Sequence, residues 1–356
     1  MSTHLAHGLG TEPVEPDWPP LTDAEVTAVT GPARVVWRSP RPLSAAAVVV
    51  REGRRLFVKR HHVTVRTSRG LAEEHAFLRH LRERGAPVVE VLDLVERGEW
   101  TYEIHSAGTG RDLYRDALSW SPFLGTAHAR AAGEALARLH LAAEDFAAPR
   151  RSPQPLVASF TVFAAPDPWA ALDGFLSERP RLAAALADLP WREDTRRVLL
   201  PHHERLAPHL SALGPLWTHN DWHASNLLWG EDGEVATVLD FGMSDRTTAV
   251  HDLATALERN TVQWLDPGRP VQEEHAIALL RGYRSVRPLT AAESKALPAL
   301  LPLVHAEFAL SEVDYFHGVT RSPANTRLAY EYYVGHAEWF AGRAGRRLLE
   351  LVAAQV

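Results

Sequence analysis

A chain of 356 residues, 46% hydrophobic and 23% charged, has the composition of an ordinary globular protein and is long enough for two compact regions. Its net charge of −6 argues against nucleic acid or an anionic membrane as the main partner, and the lack of cysteine excludes disulfides and cysteine-ligated zinc. The sequence has no apolar run long enough to span a membrane and no secretory signal pattern at its N-terminus, so we expect a cytoplasmic protein.

The first part of the chain predicts a small antiparallel sheet. Residues 1–20 are rich in proline and polar side chains and predict a flexible arm, followed by a short helix over residues 21–30. Segments rich in valine, alanine and aromatic residues, separated by glycine or proline, predict strands at 33–38, 45–51, 54–60, 88–96 and 99–105. A helix with an apolar stripe over residues 71–84 interrupts these strands.

From residue 107 onward the pattern is mostly helical. Helices are predicted over residues 127–143, 169–189, 193–213, 251–264, 271–285, 291–300, 304–317 and 325–352. The composition therefore predicts an α+β protein with a β-rich lobe over residues 21–106 and a larger helical lobe over residues 107–356.

Lys59 lies at the end of the third predicted strand. Only two of the 38 basic residues are lysine, and a compact ammonium suits phosphate oxygens better than a guanidinium does. We therefore expect Lys59 to contact nucleotide phosphates and Glu74, in the helix that follows, to pair with it. The alternatives are a surface lysine at a strand end and a glutamate that interacts with the helix dipole.

Two polar motifs with fixed spacing lie in the helical part. The first is His219-x-Asp221-x-x-x-x-Asn226, and the second is Asp240-Phe241-Gly242, fourteen residues after Asn226. Two short apolar segments joined by a glycine-containing turn predict a β-hairpin between the motifs. This hairpin would hold the two motifs side by side at one end.

Phosphoryl transfer from ATP needs these side-chain types. A carboxylate orients the attacking hydroxyl and accepts its proton, which suits Asp221. An amide oxygen and a second carboxylate bind Mg²⁺, which suits Asn226 and Asp240. Aspartate and glycine are common in turns, so Asp-Phe-Gly alone means little, but both motifs in this order match the kinase pattern.

The sequence resembles the aminoglycoside phosphotransferase and choline kinase-like family, the small-molecule branch of the protein-kinase-like fold. The resemblance is carried by the loop from His219 to Leu228, the strand Val238–Gly242, the triplet Asp252-Leu253-Ala254 and the segment Leu136–His140. It implies a bilobal kinase-like fold, ATP or GTP with Mg²⁺ as cofactors, and transfer of the γ-phosphate to a hydroxyl of a small molecule.

The resemblance also implies roles for single residues. Asp221 is the expected base, Asp252 is expected to tie down the catalytic loop, and Lys59 and Glu74 fall at the family's ATP lysine and helix glutamate. We expect His219 to orient the loop through hydrogen bonds.

Nucleotide contacts are expected from two further places. The backbone near Glu103 to His105, where the last strand of the sheet ends, is expected to contact the adenine edge. The turn over residues 41–47 corresponds to the family's phosphate-covering loop but lacks its glycine, so Ser44 is expected to donate its hydroxyl or amide. This departure leaves the choice between ATP and GTP open.

Acidic residues of the later helices are candidates for binding the acceptor. We select Glu258, Glu307 and Asp314 from a wider polar set that also includes Asn260, Glu312 and Tyr315. Carboxylates pair with ammonium groups, which favours a cationic acceptor such as an aminoglycoside, amino sugar or amino alcohol. These residues are equally typical of ordinary helix surfaces, and the sequence leaves open whether the protein is a monomer or a homodimer.

Two other functions fit parts of the pattern. A catalytically weak, nucleotide-binding pseudokinase usually lacks one of the polar parts, whereas this chain has Lys59, Asp221, Asn226 and Asp240. His219 and His223 with Asp221 could instead form the metal site of a hydrolase, because neutral imidazole is a common metal ligand. That interpretation leaves Asn226 and Asp240 unexplained.

Overall fold

The computed structural model describes residues 14–41, 43–157 and 160–356. Of the predicted arm over residues 1–20, residues 1–13 lie outside the described part. The chain forms two compact units. One holds the described residues up to Ser119 together with Ser225–Leu239, and the other holds Trp120–Ala224 together with Asp240–Val356.

The strands of the described chain form one larger sheet and two short pairs. In chain order they are β1 (Arg34–Arg38), β2 (Ala45–Arg51), β3 (Arg54–His62), β4 (Val91–Arg97), β5 (Trp100–Ser106), β6 (Pro215–Thr218), β7 (Leu227–Trp229), β8 (Val235–Val238) and β9 (Asp245–Thr248). The sheet has the order β1-β2-β3-β5-β4, while β6 pairs with β9 and β7 with β8. Every strand predicted for the first part of the chain is present.

The helices follow the same chain order. They are α1 (Asp23–Thr30), α2 (Ser68–Glu83), α3 (Thr126–Ala143), α4 (Pro168–Ser177), α5 (Pro180–Leu186), α6 (Trp191–Asp194), α7 (Leu200–Leu206), α8 (Ala249–Thr261), α9 (Glu273–Val286), α10 (Ala291–Leu300), α11 (Ala306–Gly318), α12 (Pro323–Ala341) and α13 (Arg343–Gln355). Among the described helices, none combines the length and the hydropathy that crossing a bilayer requires.

Three predicted helices are broken in the structure. The segment 169–189 divides before Pro180, because proline disfavours helical backbone in the residue before it. The segment 325–352 divides at Gly342, which has extended backbone between α12 and α13. The segment 193–213 contains a π-helical turn at Thr195–Leu199 and a 3₁₀ turn at Ala207–Ala212.

The two faces of the five-stranded sheet differ in character. Because side chains alternate along a strand, Val58 and Ile104 lie on one face, in an apolar cluster that includes Val26 of α1. Lys59 and Glu103 are register partners on β3 and β5, so they lie together on the opposite face. The sheet thus places an apolar core on one side and charged groups on the other.

Hydrogen bonds connect the hairpin β7–β8 to residues 109 and 111 of the first unit. Arg111 and Trp229 exchange two backbone hydrogen bonds, of 2.8 and 2.9 Å. The Thr237 hydroxyl donates to the Thr109 carbonyl at 2.8 Å and accepts from the Thr109 amide at 3.0 Å. These bonds explain why the first unit extends beyond the predicted lobe boundary after residue 106.

In the second unit, α3 and α9 approach closely at two glycines. A methyl group placed on Gly133 would lie 2.1 Å from the Leu279 carbonyl oxygen, and one on Gly282 would lie 2.1 Å from the Arg130 carbonyl oxygen. Both distances are far below van der Waals contact. The absence of a side chain at these two positions therefore permits the close approach of the two helices.

We expect Gly133→Ala to lower the free energy of unfolding by about 1–3 kcal/mol, because the added methyl group must push the two helix backbones apart. Gly335→Ala in α12 is the matched control, since nothing lies within 4 Å of a methyl group there and alanine favours a helix by up to about 1 kcal/mol. Urea unfolding of both variants measures the difference. Equal stability of the two variants would contradict the close packing of α3 on α9.

Candidate active site

The catalytic loop begins where β6 ends, and its backbone is held by one buried carboxylate. Asp252, in the first turn of α8, accepts a hydrogen bond from the His219 amide at 2.9 Å and another from the Asn220 amide at 2.8 Å. Its side chain is 0% exposed. These bonds confirm the prediction that Asp252 ties down the loop.

Asp252 is held in turn by two residues that the close packing of α3 and α9 brings together. His140 of α3 donates from Nε2 to Asp252 at 3.0 Å, while its Nδ1 lies 2.8 Å from the Tyr283 hydroxyl of α9. Burial by itself would raise the pKa of Asp252. The hydrogen bond and charge of His140, with the His219 amide, outweigh it and keep that pKa below the usual range.

Asn260 of α8 supports the other end of the loop. Its Oδ1 accepts from the Ala224 amide at 3.0 Å, and its Nδ2 donates to the Trp222 carbonyl at 2.9 Å. Asn260 was one of the predicted acceptor-binding candidates. In the structure, its side chain is instead hydrogen-bonded to the backbone of the loop. The Asp221 amide donates to Nδ1 of His219 at 3.1 Å, in agreement with the predicted orienting role of His219.

Asp221 projects from this fixed backbone, and its side chain is 15% exposed. It forms an ion pair with Arg259 of α8, and Nε2 of His223 lies 3.5 Å from its Oδ1. Arg259 is buried, with its guanidinium over the rings of Trp120 and Phe308 at 5.5 and 5.0 Å. Burial lowers the pKa of Arg259 to about 10, so the side chain remains a cation at neutral pH.

Sequence analysis missed Arg259. An arginine inside an amphipathic helix gives no signal of its own, because the contact with Asp221 joins residues that are distant in sequence. Asp221 and Arg259 together present an oriented carboxylate beside a fixed positive charge.

The second predicted metal ligand, Asp240, has an unusual backbone. It is exposed, adopts φ = 53°, and accepts from the Gly242 amide at 3.3 Å. Asn220 also has a left-handed conformation, with φ = 60°. Such conformations in non-glycine residues concentrate at functional sites, although Asn and Asp tolerate them best. Both residues lie in the second unit.

Asn226, the other predicted metal ligand, lies in the first unit at the end of the 3₁₀ turn Ala224–Asn226. Its carbonyl accepts from the Leu239 amide at 2.8 Å, which closes the base of the hairpin between the two motifs. The predicted hairpin is therefore present. The metal-binding roles of Asn226 and Asp240 remain predictions.

The predicted nucleotide residues lie in the first unit. Lys59 is half-buried on β3, Glu74 is buried on α2, and Ser44 lies in the bend before β2. Glu103 lies in the middle of β5 and His105 one residue before its end, and both are paired with β3 on one side and β4 on the other. Their predicted backbone contact with adenine would have to be made from within the paired part of the sheet, and it remains a prediction.

The three carboxylates selected for acceptor binding have partners within the protein. Glu307 accepts from the Thr161 and Val162 amides, both at 2.9 Å, and thereby holds the segment before α4. Asp314 lies 3.7 Å from Arg181. Glu258 lies 2.7 Å from Nδ1 of His336 and is buried. Glu312 of α11, from the wider polar set, is buried as well.

Burial also changes the charge of these two carboxyls. It raises the pKa of Glu312 to about 8, against the lowering effect of Arg259, and it raises the pKa of Glu258 well above the usual range. Glu312 is therefore largely neutral at pH 7, and burial likewise disfavours the charged form of Glu258. This weakens the negative charge on which the prediction of a cationic acceptor rested.

Comparison with known proteins supports the kinase-like interpretation of this geometry. Residues 42–289 match the model of a phosphotransferase enzyme family, APH. The chain belongs to this family. A homoserine kinase of Methylocella silvestris is 30% identical over 205 residues, which are 56% of each chain. An uncharacterized protein of Deinococcus radiodurans is 30% identical over 290 residues, 77% of this chain and 75% of that one.

The chain spans about half the length of the homoserine kinases that it matches. Among solved structures, the ethanolamine kinase of Plasmodium vivax superposes with a TM-score of 0.57 at 10% identity, covering 86% of this chain and 81% of that one. This likeness shows the fold alone. It confirms the predicted kinase-like α+β fold class.

The raised pKa of Glu312 predicts a pH dependence of stability. A carboxyl whose folded pKa is raised contributes stability that is complete below its unfolded pKa, near 4.5, and lost as pH rises towards about 8. Glu312→Gln removes this titration. We therefore expect the variant to gain stability relative to the wild type between about pH 5 and about pH 8, by at most about 1.4 kcal/mol per pH unit.

Chemical unfolding at a series of pH values measures this difference. Glu350→Gln, at an exposed position of α13, is the control and should follow the wild-type curve. Parallel curves for the wild type and Glu312→Gln would show that the carboxyl titrates normally.

Proposed function

We propose that this protein is a small-molecule kinase that transfers the γ-phosphate of ATP to a hydroxyl group, assisted by Mg²⁺. The observation that carries the proposal is the position of the Asp221 carboxylate on a fixed loop. Asp252 and Asn260 hold the backbone of this loop before and after Asp221. Membership of a phosphotransferase family supports the same reaction class.

Each residue has one role in this reaction. Asp221 orients the acceptor hydroxyl and accepts its proton, and His219 holds the amide of Asp221 in place. Asn226 and Asp240 are the proposed Mg²⁺ ligands, because amide and carboxylate oxygens suit this hard cation. The bound Mg²⁺ would neutralise the charge that develops on the phosphates.

The nucleotide is assigned to residues of the first unit. Lys59 is the proposed phosphate contact, Glu74 is the residue that orients it, and Ser44 is the donor from the turn before β2. ATP is the first nucleotide to test, with GTP as the alternative. The adenine contact is assigned to the backbone near Glu103 to His105.

For the acceptor, we propose a small molecule that carries both a hydroxyl and an amino group, with homoserine as the first candidate. Several relatives named homoserine kinase support this choice. Homoserine also carries a carboxylate, so it does not require the strongly anionic pocket that an aminoglycoside would. Burial raises the pKa values of Glu258 and Glu312, which favours this less cationic acceptor.

The two alternative functions have less support. In a hydrolase, His219 would bind a metal, but its Nδ1 already accepts the Asp221 amide. Among the described residues, the groups of imidazoles and carboxylates close enough to share one ion do not include His219, His223 or Asp221. The pseudokinase remains the second candidate, and the experiment below separates it from an active kinase.

We expect Asp221→Asn to lower kcat by about 10²–10⁴-fold with homoserine, because the amide cannot accept the proton of the acceptor hydroxyl. Release of ADP from Mg-ATP, with homoserine, ethanolamine and an aminoglycoside as separate acceptors, measures the effect. Mg-ATP affinity should change little, because Asp221 acts on the acceptor. Retained affinity also shows that the variant is folded.

Asp188→Asn, an exposed substitution outside the catalytic loop, is the matched control and should behave as the wild type. If wild type and Asp221→Asn release ADP at the same rate, Asp221 is not the base. If the wild type binds Mg-ATP but transfers phosphate to none of the acceptors and shows no Asp221-dependent ADP release, the pseudokinase is the better description.

A further inference from the structure

Four polar side chains meet on the charged face of the five-stranded sheet. They are His61 of β3, Glu103 and His105 of β5, and His75 of α2, and we call them the α2–sheet cluster. Because side chains alternate along a strand, His61, Glu103 and His105 point to the same face of the sheet. His75 of α2 lies over that face. Their side chains are between 1% and 9% exposed, so the cluster is buried.

Three of these side chains form a nearly regular triangle. Nε2 of His75 lies 3.1 Å from Oε2 of Glu103, and Nε2 of His105 lies 3.3 Å from the same oxygen. The two Nε2 atoms are 3.3 Å apart. Three potential ligand atoms thus surround a common centre at equal spacing.

Hydrogen bonds cannot lie along all three edges of this triangle. A carboxylate is an acceptor only, and each imidazole Nε2 carries at most one hydrogen, so two hydrogens serve at most two edges. If both hydrogens point at Oε2, the edge between the two Nε2 atoms has no hydrogen bond. If one hydrogen lies between the imidazoles, an unprotonated Nε2 faces the carboxylate inside a buried site, which is unfavourable.

A metal ion at the centre of the triangle would bind all three ligand atoms at once. In tetrahedral zinc sites the Zn–N and Zn–O bonds are about 2.0–2.1 Å, which places neighbouring ligand atoms about 3.3 Å apart. The observed edges of 3.1, 3.3 and 3.3 Å match one face of such a tetrahedron. We propose that His75, Glu103 and His105 bind a divalent transition-metal ion, with zinc as the first candidate.

His61 has a different place in the cluster. Its Nε2 lies 2.8 Å from Oε1 of Glu103, the carboxylate oxygen that is not part of the triangle. Donation from His61 to Oε1 therefore fixes the rotation of the carboxylate and leaves Oε2 directed at the ion. Hydrogen bonds of this kind commonly orient the ligands of metal sites.

The chemistry of the ligands separates this site from the proposed Mg²⁺ site. Two imidazole nitrogens and one carboxylate suit zinc and its neighbours in the first transition series, whereas Mg²⁺ prefers oxygen ligands throughout.

A metal at this point would link α2 to the sheet. Its ligands come from α2 and β5, and His61 adds a contact from β3. Glu74, the proposed partner of Lys59, is the residue before His75 on α2. An ion here would therefore stabilise the part of the first unit to which nucleotide binding is assigned.

Metal analysis of the purified full-length protein tests the inference without any enzymatic assay. We expect about one zinc per chain after growth with zinc, and removal by a chelator should lower the thermal unfolding midpoint. Cobalt added to the metal-free protein should give the intense visible absorption of a tetrahedral or five-coordinate site. Because no turnover is measured, the result is independent of the proposed kinase activity.

Variants assign the ion to the α2–sheet cluster. His75→Gln and His105→Gln should each reduce bound zinc by more than about tenfold, and His61→Gln should weaken affinity by about 10–100-fold, because it removes only the support of the carboxylate. His80→Gln, on the same helix but outside the cluster, is the matched control. It should retain the wild-type amount of metal.

A second buried group, Glu258, His305 and His336 in the other unit, also lies within metal-binding range and provides a further control. Zinc that is lost in His305→Gln but kept in His75→Gln belongs to that group and would overturn the inference. Wild-type protein that binds neither zinc nor cobalt at micromolar concentration would overturn it as well. The second result does not depend on whether any variant folds.

Discussion

The buried carboxylate of Asp252 is the constraint on which the proposed active site depends. It accepts hydrogen bonds from the amides of His219 and Asn220 and from His140, which fixes the start of the catalytic loop. A buried carboxylate without these donors would be strongly destabilising. The chain therefore gains both stability and a fixed loop from the same interactions, and the packing of α3 against α9 brings His140 and Tyr283 to their places.

A second consequence of burial concerns charge. Arg259 remains a cation in the interior because burial lowers its pKa only to about 10, whereas burial raises the pKa of Glu312 to about 8. Side chains that look equally charged in the sequence thus carry different charges in the fold. For this reason, counting carboxylates in the later helices was a poor guide to the acceptor.

The sequence predicted those parts of the structure that are encoded locally. The strands of the first unit and the hairpin follow from periodicity and turn residues, and the role of Asp252 follows from the resemblance of its motif to that of the family. The ion pair of Asp221 with Arg259, the loop contacts of Asn260 and the α2–sheet cluster join residues far apart in sequence, and no local pattern marks them. The breaks before Pro180 and at Gly342 were missed although proline and glycine are local signals for the end of a helix.

Hydrogen–deuterium exchange on Asp252→Asn, followed through the peptide that contains His219 to His223, tests the central claim most directly. An asparagine offers one oxygen and one amino group in place of two carboxylate oxygens, so it cannot accept all three hydrogen bonds. Since an unmade buried hydrogen bond costs about 1–3 kcal/mol, we predict about tenfold or faster exchange in this peptide, together with a lower kcat. Unchanged protection of the loop, with Asp188→Asn as the reference, would contradict the account.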